Sequence, residues 1–135
     1  MEPVLTAESS CPFCSRATSG DHSQSSRFSI AFPDGFPLNP GHTLVVPRRH
    51  VEDPFDLNSE EQADLWRLVA QVKSVLQQDQ KLDGFTVGVN VGTAAGQTVD
   101  HAHIHVIPRY RGDVIDPRGG VRWVIPARAA YWEPR

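Results

Sequence analysis

Asp100-His101-Ala102-His103-Ile104-His105-Val106-Ile107-Pro108 decides how the chain is read. Three of the six histidines of the protein stand here at every second position. A β-strand sends alternate side chains to opposite faces. Read as a strand, the run places His101, His103 and His105 on one face and Ala102, Ile104 and Val106 on the other, ready for a core. An α-helix would spread the same three rings over about 400° of arc, so they could not act as one group. Pro108 fits a strand end, where no further ladder donor is needed.

Just upstream, residues 85–91 (FTVGVNV) form a further strand, and residues 92–98 (GTAAGQT) form a small-residue loop leading into the histidines. Such a loop serves as a plain hairpin connection, or lets backbone N–H groups approach a phosphate. Before it, Leu65, Leu68, Val69, Val72, Val75 and Leu76 recur at helical spacing and give one long amphipathic helix. Asn58 or Ser59 caps that helix, with Glu61 or Gln62 as the returning partner. Residues 42–47 (HTLVVP) read as a strand covered on both faces, and residues 27–32 as another that runs into the Pro33-Asp34-Gly35 turn. After Pro108 come two turn-like basic segments, with a short strand expected at residues 121–126. Arg109, Arg111, Arg118 and Arg122 read singly as solvated surface, with contact to the far end of a long anionic ligand as the alternative.

The length of 135 residues suits one domain with a real core. A net charge of −3 argues against broad nucleic-acid binding but leaves room for a small anionic ligand held by local donors. No apolar run approaches the roughly 20 residues of a membrane span, and residues 1–10 lack a signal-peptide pattern, so a cytoplasmic protein without membrane contact is expected. The only two cysteines stand in Cys11-Pro12-Phe13-Cys14, which is no disulfide framework. Such a pair occurs in dithiol redox sites, but the polar residues 15–23 lack the apolar period of a following helix. The same spacing is the first half of a zinc site, whose second half histidines would have to supply.

Imidazole titrates near pH 6.5, so one ring can be a nucleophile while a neighbour donates. That suits attack on phosphorus, with one ring forming a phosphoramidate and others stabilising phosphoryl oxygens. No Walker-type Gly-Lys-Ser/Thr run or carboxylate cluster offers the commoner phosphate machinery. A single ion on all three rings is awkward, because alternate strand residues lie about 6.6 Å apart.

Residues 96–108, GQTVDHAHIHVIP, resemble the signature of the histidine triad (HIT) family of nucleotide hydrolases and transferases. The resemblance runs from about Cys11 to Pro108, with the strand at His42, the helix and the Asn90 strand in the family's order. It implies a single HIT domain over residues 1–135. The implied fold is α+β, a mainly antiparallel sheet of about five strands with one long amphipathic helix, and a homodimer. It further implies hydrolysis at the α-phosphorus of dinucleoside polyphosphates, such as diadenosine tetraphosphate, or of nucleoside phosphoramidates. His103 would be the nucleophile of a covalent nucleotidyl-histidine, His105 would bond the phosphate, and His42 would line the pocket. Asp34 would hold the ribose hydroxyls of a purine nucleotide, with Asn90, Gln97 and Thr98 around the phosphates and Phe13, Phe28 and Ile30 near the base. Zinc-containing members imply a structural Zn2+ on Cys11, Cys14, His50 and His101, and no organic cofactor. A nucleotide-binding regulatory module or a nucleotidyl transferase are the alternative expectations.

Overall fold

The computed structural model describes residues 8, 10–79 and 81–134. The reading of residues 1–10 for a targeting segment lies mostly outside them. A five-stranded antiparallel sheet runs in the order β1-β2-β3-β5-β4. The strands are β1 (Gln24–Ser25), β2 (Ser29–Pro33), β3 (Thr43–Pro47), β4 (Gly84–Val89) and β5 (Ile104–Arg109). The fold is therefore α+β, as expected.

Strand alternation divides the molecule into two cores. Ala31, Val45, Ile104 and Val106 face one side and pack under α2 (Ser59–Asp79) through Leu65, Leu68, Val69 and Val72. Ile30, Phe32, Leu44 and Val46 face the other side, against Cys11, Phe13 and Cys14 of the short helix α1 (Pro12–Ser19) and its cap. His105, between Ile104 and Val106, therefore belongs to the α1 side. The helix α2 starts as its residues dictate. The Glu61 N–H donates to Asn58 Oδ1 at 2.8 Å, and the Asn58 N–H donates back to Glu61 Oε1 at 3.0 Å, a capping box. Glu61 also takes both ends of the Arg49 guanidinium at 3.0 and 2.7 Å, tying the helix start to the end of β3.

Three local expectations change. The strand of the histidine stretch begins only at Ile104, because its ladders with β3 and β4 stop at Val45 and Val89, both opposite Ile104. Ahead of it the chain turns away, with the Ala102 N–H donating to Val51 O at 2.7 Å. His101 and His103 lie ahead of the ladder, yet the His103 and His105 rings stay in contact, with centroids 5.2 Å apart. Residues 121–126 form no strand. A 3-10 turn (Gly120–Val124) and the short helix α3 (Pro126–Ala129) follow Gly119 and Gly120, whose positive φ of 87° and 37° folds the chain back on itself. Cys11-Pro12-Phe13-Cys14 opens a helix rather than a bare turn. Pro12 occupies its first position, and Gly20 at φ 78° closes it. Only Phe13 and Cys14 of α1 are buried, which is why no apolar period announces it. Among the described residues, no helix is long and apolar enough to cross a membrane.

Candidate functional site

Two clusters of histidines lie end to end on the α1 side of the sheet. In the first, the ligand atoms of Cys11, Cys14, His50 and His101 all lie within 4.8 Å of one another. Cys11 Sγ is 3.4 Å and Cys14 Sγ is 3.5 Å from His101 Nδ1. Cys14 Sγ is 3.3 Å from His50 Nδ1, and the two Nδ1 atoms are 3.2 Å apart. Tetrahedral bonds of about 2.3 Å to sulfur and 2.0–2.1 Å to nitrogen put ligand atoms about 3.3–3.8 Å apart, so the set has the size of a metal tetrahedron.

The protons agree with that use. His101 Nε2–H donates to the Pro47 carbonyl at 2.7 Å, which leaves a lone pair on Nδ1 facing the thiols. Burial, and then the neighbouring rings of His50 and His103, push the His101 pKa down to about 4, so the ring is neutral. His50 Nε2 lies 3.5 Å from the Glu8 carboxylate. Burial pushes the Cys14 thiol up. The donor set fits a closed metal site.

The second cluster is His103, His105, His42 and Asp34. His103 Nδ1 lies 2.8 Å from the His101 carbonyl, which can only accept, so Nδ1 carries the proton and Nε2 the lone pair. The ring is 8% exposed. His42 is fixed the other way. The Leu38 N–H donates to its Nδ1 at 3.0 Å, so its proton sits on Nε2, which points at His105 Nδ1 at 3.0 Å and Asp34 Oδ2 at 3.4 Å. His105 Nδ1 is then an acceptor, and its own proton sits on Nε2. The site therefore holds one bare ring nitrogen, on His103, and one N–H donor, on His105.

Asp34, His42 and His105 are also close enough to surround a cation. The Leu38 N–H argues against it, because a metal on His42 Nε2 would force a proton onto Nδ1 against that donor. The trio is a hydrogen-bond relay.

Burial, then the rings of His103 and His42, push His105 down to about 4, and burial also lowers His42. Both rings are therefore neutral near pH 7. A ring whose folded pKa is depressed binds fewer protons folded than unfolded between its folded value and the unfolded value near 6.5. Stability from burying these two rings is complete above about pH 6.5 and declines as pH falls below it, for His105 down to about 4. Urea unfolding at pH 7 and pH 5 should show this decline, and His105→Asn should lessen it. An equal decline in that variant would contradict the assignment.

The remaining expected residues fall out differently. Asp34 Oδ1 accepts from the Phe36 N–H at 2.8 Å, and its other oxygen faces the relay. Asn90 lies just beyond β4. Among the described residues, neither its side chain nor that of Thr98 has a partner, so both are free to meet a ligand. Gln97 is not free. Its amide donates to Glu52 O at 2.9 Å and Val99 O at 3.0 Å, and its oxygen accepts from the Gly92 N–H at 2.9 Å. Gln97 braces the loop instead of offering a donor. The N–H groups of Ala95, Gly96 and Gln97 also turn inward onto Gly92 and Thr93, so they make no phosphate cradle. Ile30 is fully buried and lines no open pocket, whereas Phe13 stands against His103. Arg109 is gripped by Asp113 at 2.7 and 2.9 Å, Arg118 pairs with Asp116, and Arg111 lies 3.8 Å from Asp83. Arg122 binds the Ala129 and Arg128 carbonyls. The arginines are engaged locally. Sequence reasoning missed Leu38, which acts through its backbone N–H alone and leaves no side-chain signal.

A family model described as HIT domain matches residues 24–112. The chain is 36% identical over 106 residues to an uncharacterized HIT-like protein of Saccharolobus solfataricus, covering 76% of each. It is 44% identical over 85 residues to a bis(5'-adenosyl)-triphosphatase of Dictyostelium discoideum, covering 63% of this chain and 57% of that one. Among solved structures, a Zn-bound histidine triad family protein from Mycobacterium smegmatis superposes with a TM-score of 0.69 at 33% identity, covering 79% of this chain and 80% of that one. The chain thus spans little more than half the length of the named triphosphatase.

Proposed function

Because this chain belongs to the HIT domain family, we propose that it hydrolyses dinucleoside polyphosphates through His103, with all 135 residues serving one such domain. The bis(5'-adenosyl)-triphosphatase among its relatives supports the substrate class. The observation that carries the mechanism is the opposed proton placement on His103 and His105.

His103 Nε2 attacks the α-phosphorus, a P–N bond forms as the P–O bond to the rest of the substrate breaks, and the remaining nucleoside polyphosphate departs as an anion. The ring keeps its Nδ1 proton, and the His101 carbonyl stabilises the positive charge that develops there. His105 Nε2–H donates to a phosphoryl oxygen, held in that tautomer by His42. Water then attacks phosphorus, the P–N bond breaks, a proton passes to solvent, and a nucleoside monophosphate leaves. His105, neutral near pH 7, is a hydrogen-bond donor and a poor acid. That favours anhydride substrates, whose leaving group needs no proton, over phosphoramidates, whose departing nitrogen does. Asp34 would take the ribose hydroxyls on its free lone pairs, with Asn90 and Thr98 near the phosphates.

The closed Cys11, Cys14, His50 and His101 set suits Zn2+ best, since two thiolates and two imidazoles in a tetrahedron select it. Bound there it would stabilise the fold and leave no open position for chemistry. Thiolate ligands persist in a reducing compartment, which accords with a cytoplasmic protein.

A panel of dinucleoside polyphosphates, phosphoramidates and mononucleotides tests the reading. Turnover of the first class with release of a nucleoside monophosphate is expected. Tight binding with negligible turnover throughout would replace it with a nucleotide-binding module.

A homodimer is part of the proposal. The edge strand β4, Gly-Phe-Thr-Val-Gly-Val, carries no lysine or proline to guard it, whereas the other edge, β1, is two residues long. Unguarded edges are covered in stable proteins, and a second copy would continue the sheet. Light scattering should give twice the 14.9 kDa of one chain. A single-chain mass at micromolar concentration would contradict it.

A further inference from the structure

The metal cluster and the nucleophile share their supports. Phe13 lies between the two thiols in sequence, and its ring meets His103 edge-on with centroids 5.2 Å apart at 68°. It also meets His101 at 5.7 Å and is backed by Phe32 at 5.4 Å. On its other side, the His103 ring is held by the main-chain carbonyl of His101 at 2.8 Å. One support is the backbone of a metal ligand, and the other is the side chain bracketed by two more.

Phe13 packs on Phe32 and the sheet face, but the helix that carries it is short and tied down chiefly at the cluster. The helix α1 has eight residues, far below the length at which an isolated helix is stable. Its N-terminal cap is a sulfur acceptor, Cys11 Sγ, 3.5 Å from the Cys14 N–H, and it buries only Phe13 and Cys14. The carbonyl support is tied in turn to the His101 ring, anchored at Pro47 O.

We propose that the Cys11–Cys14–His50–His101 centre positions the nucleophile: a bound metal ion holds Phe13 and the His101 carbonyl against the His103 ring and keeps its lone pair on Nε2. Phe13 is a positioning residue. The inference rests on His103 being the nucleophile, and it makes metal occupancy a control on catalysis without a metal-bound substrate.

The test compares zinc-loaded and chelator-stripped protein with the variants Phe13→Ala and Phe13→Leu. Long-range 1H–15N spectra report which nitrogen of each imidazole carries the proton, and need no substrate. The loaded protein should show His103 as a single Nδ1–H tautomer, and the stripped protein a mixture. F13A, with one zinc per chain by elemental analysis, should show the mixture too. Its kcat should fall about ten- to a hundredfold, the scale of a misplaced reacting group, with KM within about twofold. F13L, which keeps the bulk, should recover most of both. A single His103 tautomer in stripped protein or zinc-loaded F13A overturns the proposal. If F13A does not fold or hold zinc, stripped wild-type protein decides alone. A panel without turnover removes the hydrolase reading and leaves the tautomer result to judge the coupling.

Discussion

His103→Ala is expected to lower kcat on the best dinucleoside polyphosphate by about 10⁴-fold or more, the scale seen when a covalent nucleophile is removed. The expectation follows from proton placement. Of the three rings in the second cluster, only His103 presents an unprotonated nitrogen that no other group uses. His42 Nδ1 takes the Leu38 N–H, and His105 Nδ1 takes the proton of His42. Substrate affinity should change much less, because the ring contributes little binding beyond the attack itself. The ring is buried against Phe13, so circular dichroism and zinc content must accompany the kinetics. A folded, zinc-loaded H103A enzyme with wild-type turnover would rule out the covalent route. His105→Asn retains a donor but changes its reach, and its loss should be smaller.

Removing the metal is expected to give the largest stability change. Zinc held at a free concentration about 1,000 times its Kd would contribute about 4 kcal/mol through binding to the folded chain alone. At roughly 3–5 °C per kcal/mol for a domain of this size, stripping it lowers Tm by about 10–20 °C. The loss stays within the roughly 5–15 kcal/mol of an ordinary domain, so the sheet and α2, which have their own core, should stay folded at room temperature. Cys14→Ser should mimic chelation, since Cys14 Sγ lies beside both histidine ligands. Differential scanning calorimetry with and without chelator reads the effect. Identical melting in both, with zinc shown to be bound at the start, would mean the cluster contributes nothing to the fold.

How much of this was legible in the sequence depends on the kind of contact. The capping box at Asn58 and Glu61 and the apolar stripe of α2 were readable, because they are local patterns whose partners lie three to seven residues apart. The donor set Cys11, Cys14, His50 and His101 came from the family resemblance, and the fold brings all four together. The two-residue period of the histidines marks the right stretch, though the strand ladder covers only the part from Ile104 onward. The ladder ends there, and the Val51 carbonyl captures the Ala102 N–H from a distant segment that no local pattern reveals. The place of Gln97 in the motif points to a phosphate contact, while the fold uses its amide to clasp Glu52 and Val99. The apolar run at residues 121–126 has the composition of a strand. Two glycines at positive φ before it and Pro126 at the start of α3 turn it into coils closed by local bonds. Leu38, whose backbone sets the His42 tautomer, could not be found from side-chain chemistry.

In the proposed reaction His103 forms and breaks a bond to the α-phosphorus. The stereochemical course at that atom tests it most directly, using a dinucleoside polyphosphate made chiral at the α-phosphorus by sulfur and hydrolysed in isotopically labelled water. Two successive in-line displacements, by His103 and then by water, each invert the centre, so net retention is expected. Net inversion would mean that water attacks directly, and would contradict it.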